Sequence, residues 1–130
     1  MEPEGALKLF SVEEANALIP RLNELLDDVA THRDAMRERT PQLEPILEKA
    51  GYNGGGRVGT EYGFEAYRLY RAIARIRSLG VLIKDLDLGL IDFPHRRDSR
   101  VVFLCWHPPE DRVRYWHETT TGYADRRPLE

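Results

Sequence analysis

Val101-Val-Phe-Leu-Cys-Trp106 and Val113-Arg-Tyr-Trp-His117 are two apolar segments separated by six residues, among them Pro108 and Pro109. The first segment has apolar side chains at odd and even positions, which is typical of a strand covered on both faces. The second alternates less cleanly, so one of its faces is wetter. The residues between them offer nothing apolar to bury, and prolines cannot donate to a sheet ladder. We therefore predict a β-hairpin whose first strand is central.

Length and composition bound the fold class. The chain has 130 residues, of which 42% are hydrophobic and 32% charged, so we predict one folded domain over residues 1–130. Its net charge of -3 gives no overall electrostatic case for binding nucleic acid or an anionic membrane. Residues 1–50 carry 11 acids and 6 bases, and residues 51–130 carry 11 acids and 13 bases. These counts predict an acidic surface on the first helix.

Cys105 is the one cysteine, which excludes an internal disulfide. Its apolar surroundings indicate a small buried side chain, and a chain without disulfides suits a reducing compartment. The start of the sequence lacks the basic and apolar regions of a secretion signal, and no apolar run approaches the length that spans a bilayer. We expect a cytoplasmic location and no membrane association.

A capping box at Ser11 and Glu14, preceded by Phe10, predicts the start of a long helix. Apolar positions then recur at spacings of three and four, which is typical of a heptad seam and a coiled-coil-like packing. They are Leu18, Leu22, Leu25, Val29, His32 and Met36. Thr40-Pro41 predicts a break near residue 40, followed by a short helical continuation.

Five glycines fall within residues 51–59, and we interpret this tract as a flexible linker. It follows no strand and lacks a Lys-Ser/Thr ending, so a phosphate-binding loop is disfavoured. A second helix is predicted from about Thr60 to Gly80, where glycine provides a C-cap. The helical part thus covers residues 11–80 as an antiparallel hairpin. Phe64, Tyr67 and Tyr70 form a second apolar stripe on this helix.

Residues 81–130 are predicted to form an antiparallel β-meander and a tail. Short apolar segments at 81–86 and 90–93 add strands to the predicted hairpin, and the tail from Gly122 is predicted to be ordered coil. The fold class is therefore α+β: two long antiparallel helices and three or four antiparallel strands.

Asp92, His95, His117 and Glu118 are the candidate ligands of a metal ion or small molecule. Asp92 and His95 flank a predicted Phe-Pro turn and could converge with His117, giving a set that suits zinc or iron. Glu118 follows His117 on a strand and so points to the opposite face. The alternative is structural: Asp92 caps a turn, His117 is a hydrogen-bonded sheet residue, and Glu118 pairs with an arginine. No cofactor is implied.

Arg97, Arg114 and Arg126 are candidates for binding an anion. Trp106 and Trp116 could form an aromatic ligand platform, although large aromatics in strands more often belong to the core. His32 on the first helical seam is interpreted as a packing residue, because a single histidine falls short of a di-iron motif.

Blocks spread along the chain carry a family resemblance. They are Phe-Ser-Val-Glu-Glu-Ala-Asn at 10–16, Lys84-Asp-Leu86, Gly89-Leu-Ile-Asp-Phe-Pro94, Leu104-Cys-Trp106, Tyr115-Trp-His-Glu118 and Gly122-Tyr-Ala-Asp-Arg-Arg-Pro128. Together they resemble bacterial domain of unknown function family 2203, most specifically in the C-terminal blocks. The resemblance implies a family and carries no reaction or site residue to this chain. Asp125 stands where the family pattern often has glycine.

Three hypotheses of function follow. The first is a non-catalytic interaction domain that forms a homodimer through its helices, because the apolar helical surface exceeds what a small sheet can cover. The alternative is a ligand or metal site on the C-terminal sheet, with enzyme activity left open. The third is weak nucleic-acid binding through arginine-rich loops, which the acidic net charge disfavours.

Overall fold

The computed structural model describes residues 7–50 and 56–130, with side chains described for residues 7–39 and 60–130. Two helices precede a five-stranded antiparallel sheet, which confirms the predicted α+β class. The elements are α1 Val12–Ala50, α2 Gly56–Arg77, β1 Leu82–Asp85, β2 Leu90–Arg97, β3 Arg100–Trp106, β4 Tyr115–His117 and β5 Arg127–Pro128. Within the described residues, neither helix holds an apolar stretch long enough to cross a bilayer.

The capping box at the start of α1 is confirmed. The Ser11 hydroxyl accepts the Glu14 amide at 3.0 Å, and the Glu14 carboxylate accepts the Ser11 amide at 2.9 Å. The predicted break near residue 40 is wrong, because α1 runs without interruption through Thr40-Pro41. A proline removes one backbone hydrogen bond, and the ladders before and after it can still continue the same helix.

Helix α2 begins at Gly56, four residues before the predicted start at Thr60, so the end of the glycine tract is helical. Residues 51–55 of the predicted linker lie outside the described residues. At the other end of the helix, Gly80 has a φ of +93° and its amide bonds the Arg77 carbonyl at 3.0 Å. This left-handed residue is the predicted C-cap.

The chain comprises two compact units. We call residues 24–75 the hairpin unit, and the residues up to Asn23 together with those from Ile76 onward the sheet unit. The predicted single domain over residues 1–130 remains a prediction.

Polar contacts fix the direction of the helices within the hairpin unit. His32 Nδ1 lies 2.8 Å from Glu65 Oε2, and Arg39 Nε lies 3.5 Å from Glu61 Oε2. Partner numbers therefore rise along α1 and fall along α2, which confirms the antiparallel arrangement. Hydrogen bonding to His32 lowers the pKa of the Glu65 carboxyl. His32 thus makes an interhelical contact, consistent with its interpretation as a packing residue.

The strand order β1-β2-β3-β4-β5 is a meander, as predicted, with five strands in place of three or four. The additional strand is β5, which lies in the tail that was predicted to be coil. It pairs Arg127 with Trp116. Asp125 ends a short 3-10 helix without a left-handed backbone, so the glycine of the family pattern is not required at this position.

The predicted Phe-Pro turn is wrong, because Leu90–Arg97 is one continuous strand. The carbonyl of Pro94 accepts the Phe10 amide at 2.7 Å. The nitrogen and carbonyl of a strand residue point to the same side, so the proline nitrogen faces away from β3 and costs no hydrogen bond of that ladder. Proline is therefore tolerated inside this strand.

The register assigns side chains to two faces of the sheet. One face presents Ile91, Phe93, Leu104 and Trp106, all fully buried, and Phe10 packs edge-on against Phe93 with ring centroids 5.4 Å apart. We call this the helix face. The opposite face, which we call the polar face, presents Asp92, Pro94, Phe103, Cys105, Tyr115 and His117.

Candidate functional site

Asp92 and His117 meet on the polar face. His117 Nε2 lies 2.9 Å from Asp92 Oδ2, and their side chains are 2% and 1% exposed. Asp92 comes from β2 and His117 from β4, so the contact reaches across β3. The structure therefore brings together two of the four ligands proposed from the sequence.

This pair holds one shared proton. His117 Nδ1 lies 2.8 Å from the Glu118 carbonyl, which can only accept, so Nδ1 carries a hydrogen. The contact between Nε2 and Asp92 then requires one further proton, on either the imidazole or the carboxyl group. Burial raises the pKa of the Asp92 carboxyl, and the charge and hydrogen bond of His117 oppose that rise.

Cys105 is the third member of this cluster. It lies directly opposite Asp92 in the ladder between β2 and β3. Asp92, Cys105 and His117 each offer a ligand atom, and these atoms lie within 4.8 Å of one another. Burial and the neighbouring Asp92 raise the pKa of the Cys105 thiol to about 12. Sequence reasoning missed Cys105 as a candidate, because only the strand register reveals that it faces Asp92.

Asp92 has an oxygen that no group satisfies. Oδ1 is buried and accepts no hydrogen bond from the described part of the chain. A buried acceptor without a partner costs about 1–3 kcal/mol, and more when it is charged. Such atoms are uncommon in folded proteins and indicate a position where an additional group can bind.

The other two proposed ligands lie elsewhere. His95 is on the helix face, where its Nδ1 donates to the Phe10 carbonyl at 2.6 Å. Glu118 binds both Nε and Nη2 of Arg100, and this partner lowers the pKa of the Glu118 carboxyl. The arginine that pairs with Glu118 is therefore Arg100, where Arg114 or Arg126 was predicted.

The three proposed anion-binding arginines do not form one group. Arg126 binds the Glu110 carboxylate at 3.1 Å, and its guanidinium lies about 4 Å from the centroids of Tyr115 and Tyr123. Arg97 and Arg114, by contrast, line a common cleft of about 560 Å³ in the sheet unit.

Arg112 and His95 also line this cleft, together with the first turns of α1. Arg114 is paired with Asp111 at 2.8 Å. Arg97 and Arg112 have no carboxylate within 4.0 Å among the described residues, although Glu13 and Glu130 also contribute to the lining. The charge of the cleft is therefore mixed.

Both tryptophans belong to the core, and neither forms an open platform. Trp106 is fully buried, and its indole N–H donates to the Glu110 carbonyl at 2.8 Å. Trp116 is 6% exposed. Three guanidinium groups lie within 6 Å of its ring; they belong to Arg97, Arg100 and Arg127.

The hairpin unit carries a different feature, an exposed aromatic stripe on α2. Phe64, Tyr67 and Tyr70 are 56%, 57% and 67% exposed. Arg68 and Arg71 lie beside them, and Arg71 donates to the Tyr67 hydroxyl at 3.2 Å. We call these five residues the α2 surface.

The geometry defines a small α+β domain with a helical hairpin, an antiparallel meander and a buried Asp-His-Cys cluster. The chain belongs to the family DUF2203, described as an uncharacterized conserved protein, whose profile matches residues 8–129. Searches of curated proteins and of solved structures found no match.

Proposed function

We propose that this domain is a non-catalytic interaction module that self-associates through its helical hairpin. The observation that supports this function is the exposure of Phe64, Tyr67 and Tyr70 on one side of α2. Contiguous exposed aromatics of this size are uncommon on monomeric surfaces and mark interaction sites.

A second copy of the chain is the partner that the charges favour. The α2 surface contributes Arg68 and Arg71, whereas the exposed side of α1 in the same unit contributes Asp27 and Asp28. In a twofold dimer each α2 surface would lie against the acidic side of the partner's α1, and the same contact would occur twice.

The energies place this dimer in a weak to moderate range. Burying a large apolar side chain contributes roughly 1.5–3 kcal/mol, and a twofold contact buries each of the three aromatics twice. Association costs roughly 4–15 kcal/mol in lost freedom. The aromatic contribution can therefore offset the cost, and we expect dissociation in the micromolar range.

Sedimentation equilibrium at micromolar concentration tests this proposal. The wild type should sediment as a dimer, and Tyr67→Ser with Tyr70→Ser should sediment as a monomer with unchanged circular dichroism. Leu88→Ser is the matched control, because Leu88 is 64% exposed but lies in the sheet unit. A wild type that remains monomeric would overturn the proposal.

Charge reversal tests the arrangement of the partners. Asp27→Arg with Asp28→Arg should abolish association, as should Arg68→Glu with Arg71→Glu. The chain that carries all four substitutions should associate again, because its charges are exchanged and remain complementary. If the fourfold variant stays monomeric while the wild type is a dimer, the α1-to-α2 contact is incorrect.

A second candidate function is the binding of a small anionic ligand in the cleft of the sheet unit. Arg97 and Arg112 favour it, since neither has a carboxylate partner within 4.0 Å among the residues described. Thermal unfolding with increasing inorganic phosphate provides the test. Phosphate should raise the melting temperature of the wild type and leave that of Arg97→Ala, Arg112→Ala unchanged. Equal responses of both proteins would exclude this site.

A further inference from the structure

We infer that Asp92, Cys105 and His117 bind one divalent transition-metal ion, with zinc as the best match to this ligand set. The inference rests on two independent observations. The three ligand atoms lie within 4.8 Å of one another on the buried polar face. In addition, Asp92 Oδ1 is 99% or more shielded as part of its residue and has no hydrogen-bond partner in the described chain.

The donor types agree with this choice. Zinc in proteins is bound by cysteine sulfur at about 2.3 Å, histidine nitrogen at about 2.0 Å and carboxylate oxygen at about 2.0–2.2 Å. Tetrahedral bonds of these lengths separate neighbouring ligand atoms by roughly 3.3–3.6 Å. The contact of 2.9 Å between His117 and Asp92 must therefore widen slightly, and the longest separation of the three must shorten.

The backbone already orients the histidine for this role. His117 Nδ1–H donates to the Glu118 carbonyl, which leaves Nε2 as the nitrogen that faces Asp92 and Cys105. Metal-binding histidines commonly donate their second ring N–H to a carbonyl or carboxylate, which fixes the tautomer and the ring orientation. The Glu118 carbonyl is such a partner.

The charges balance when the ion binds. The cluster loses two protons, one from the Cys105 thiol and one from the hydrogen bond shared by Asp92 and His117. The thiolate, the carboxylate and the 2+ ion then sum to zero with a neutral imidazole. The cluster before binding is also neutral overall, so a buried region exchanges two protons for one ion without a change in net charge.

Two basic side chains lie near the cluster, and neither excludes a cation. Arg126 is neutralised by Glu110, and the Lys84 ammonium is exposed over the Phe103 ring at 4.9 Å. Three protein ligands leave a fourth position for water. Because the three side chains are at most 2% exposed, the ion can enter only through a local opening, so binding to the folded chain should be slow.

Cobalt(II) provides a spectroscopic test, because cobalt bound to a thiolate absorbs in the near ultraviolet. The reduced chain is refolded from urea with Co²⁺, which removes the entry barrier. One equivalent should produce the thiolate band and release two protons. Cys105→Ala should abolish the band, and Asp92→Asn or His117→Gln should weaken binding by about 100-fold or more.

His32→Gln serves as the matched control, since His32 lies in the hairpin unit and should leave the band unchanged. Circular dichroism of each variant shows whether it folds. Cys105→Ser is the second thiol variant, and its circular dichroism should match that of the wild type. A wild type without the band after refolding would overturn the inference, and so would a band that persists in Cys105→Ala. The result is independent of the mass measured by sedimentation.

Discussion

His117 and Asp92 share a hydrogen bond of 2.9 Å although their strands are not neighbours in the sheet, since β3 lies between them. The bond connects β2 and β4 on the polar face, in addition to the backbone ladders that β3 makes with each of them. Because both side chains are almost fully shielded, removing either partner leaves the other without compensation.

His117→Ala should destabilise the chain by about 3–5 kcal/mol, because it leaves a buried carboxylate without its partner. Asp92→Asn should cost less, since the amide can donate to Nε2 of a neutral imidazole. Urea unfolding at pH 7 measures both. His32→Ala is the control and should cost less than His117→Ala, because His32 is 25% exposed. Equal costs for the two substitutions at His117 and Asp92 would contradict the shared-proton description.

The pKa of Asp92 predicts a pH dependence. Burial raises this pKa in the folded state, so the carboxyl holds its proton more tightly than in the unfolded chain. Its contribution to stability is complete below the unfolded pKa of about 3.9 and is lost as pH rises through the folded pKa. The free energy of unfolding of wild type minus that of Asp92→Asn should therefore fall as pH rises from 4. A difference that rises over this interval would contradict the raised pKa.

Cys105 should resist alkylation in the folded chain. Its side chain is fully buried, and its pKa of about 12 leaves almost no thiolate at neutral pH. Iodoacetamide should modify it only as the chain unfolds in urea, which mass spectrometry can follow. Rapid modification under native conditions would show that the polar face opens far more readily than its burial indicates.

Two glycines should respond oppositely to alanine. Gly80 has a φ of +93°, and an added Cβ would lie 3.0 Å from Lys8 Cδ, so Gly80→Ala should destabilise by about 1–2 kcal/mol. Gly63 lies within α2 and an added Cβ meets nothing within 4 Å, so Gly63→Ala should stabilise by about 0.8–1 kcal/mol. Thermal unfolding of both variants checks the signs.

Local sequence signals predicted much of the fold. The capping box at Ser11 and the left-handed Gly80 are chemical signals that act within a few residues, and both were found as predicted. The break at Thr40-Pro41 and the Phe-Pro turn were wrong for one reason. Proline restricts its own backbone and its neighbour's, but the surrounding helix or strand decides whether the element ends there.

The candidate site was less accessible to sequence reasoning. The approach of His117 to Asp92 followed from the expectation that their strands belong to one sheet. The inclusion of Cys105 and the exclusion of His95 depend on register, because a shift of one residue exchanges the two faces. No local pattern specifies that register, so the cluster emerges only when the strands are paired.

The segment before α1 has a consequence for aggregation. Strand β1 pairs with β2 only as far as Asp92, so the following residues of β2 would present an unpaired edge. The Phe10 amide bonds Pro94, and its carbonyl accepts His95, so this segment occupies that edge. Open strand edges recruit strands of other molecules. Phe10 therefore blocks intermolecular strand pairing, and His95→Ala should increase the tendency of the protein to form β-rich aggregates.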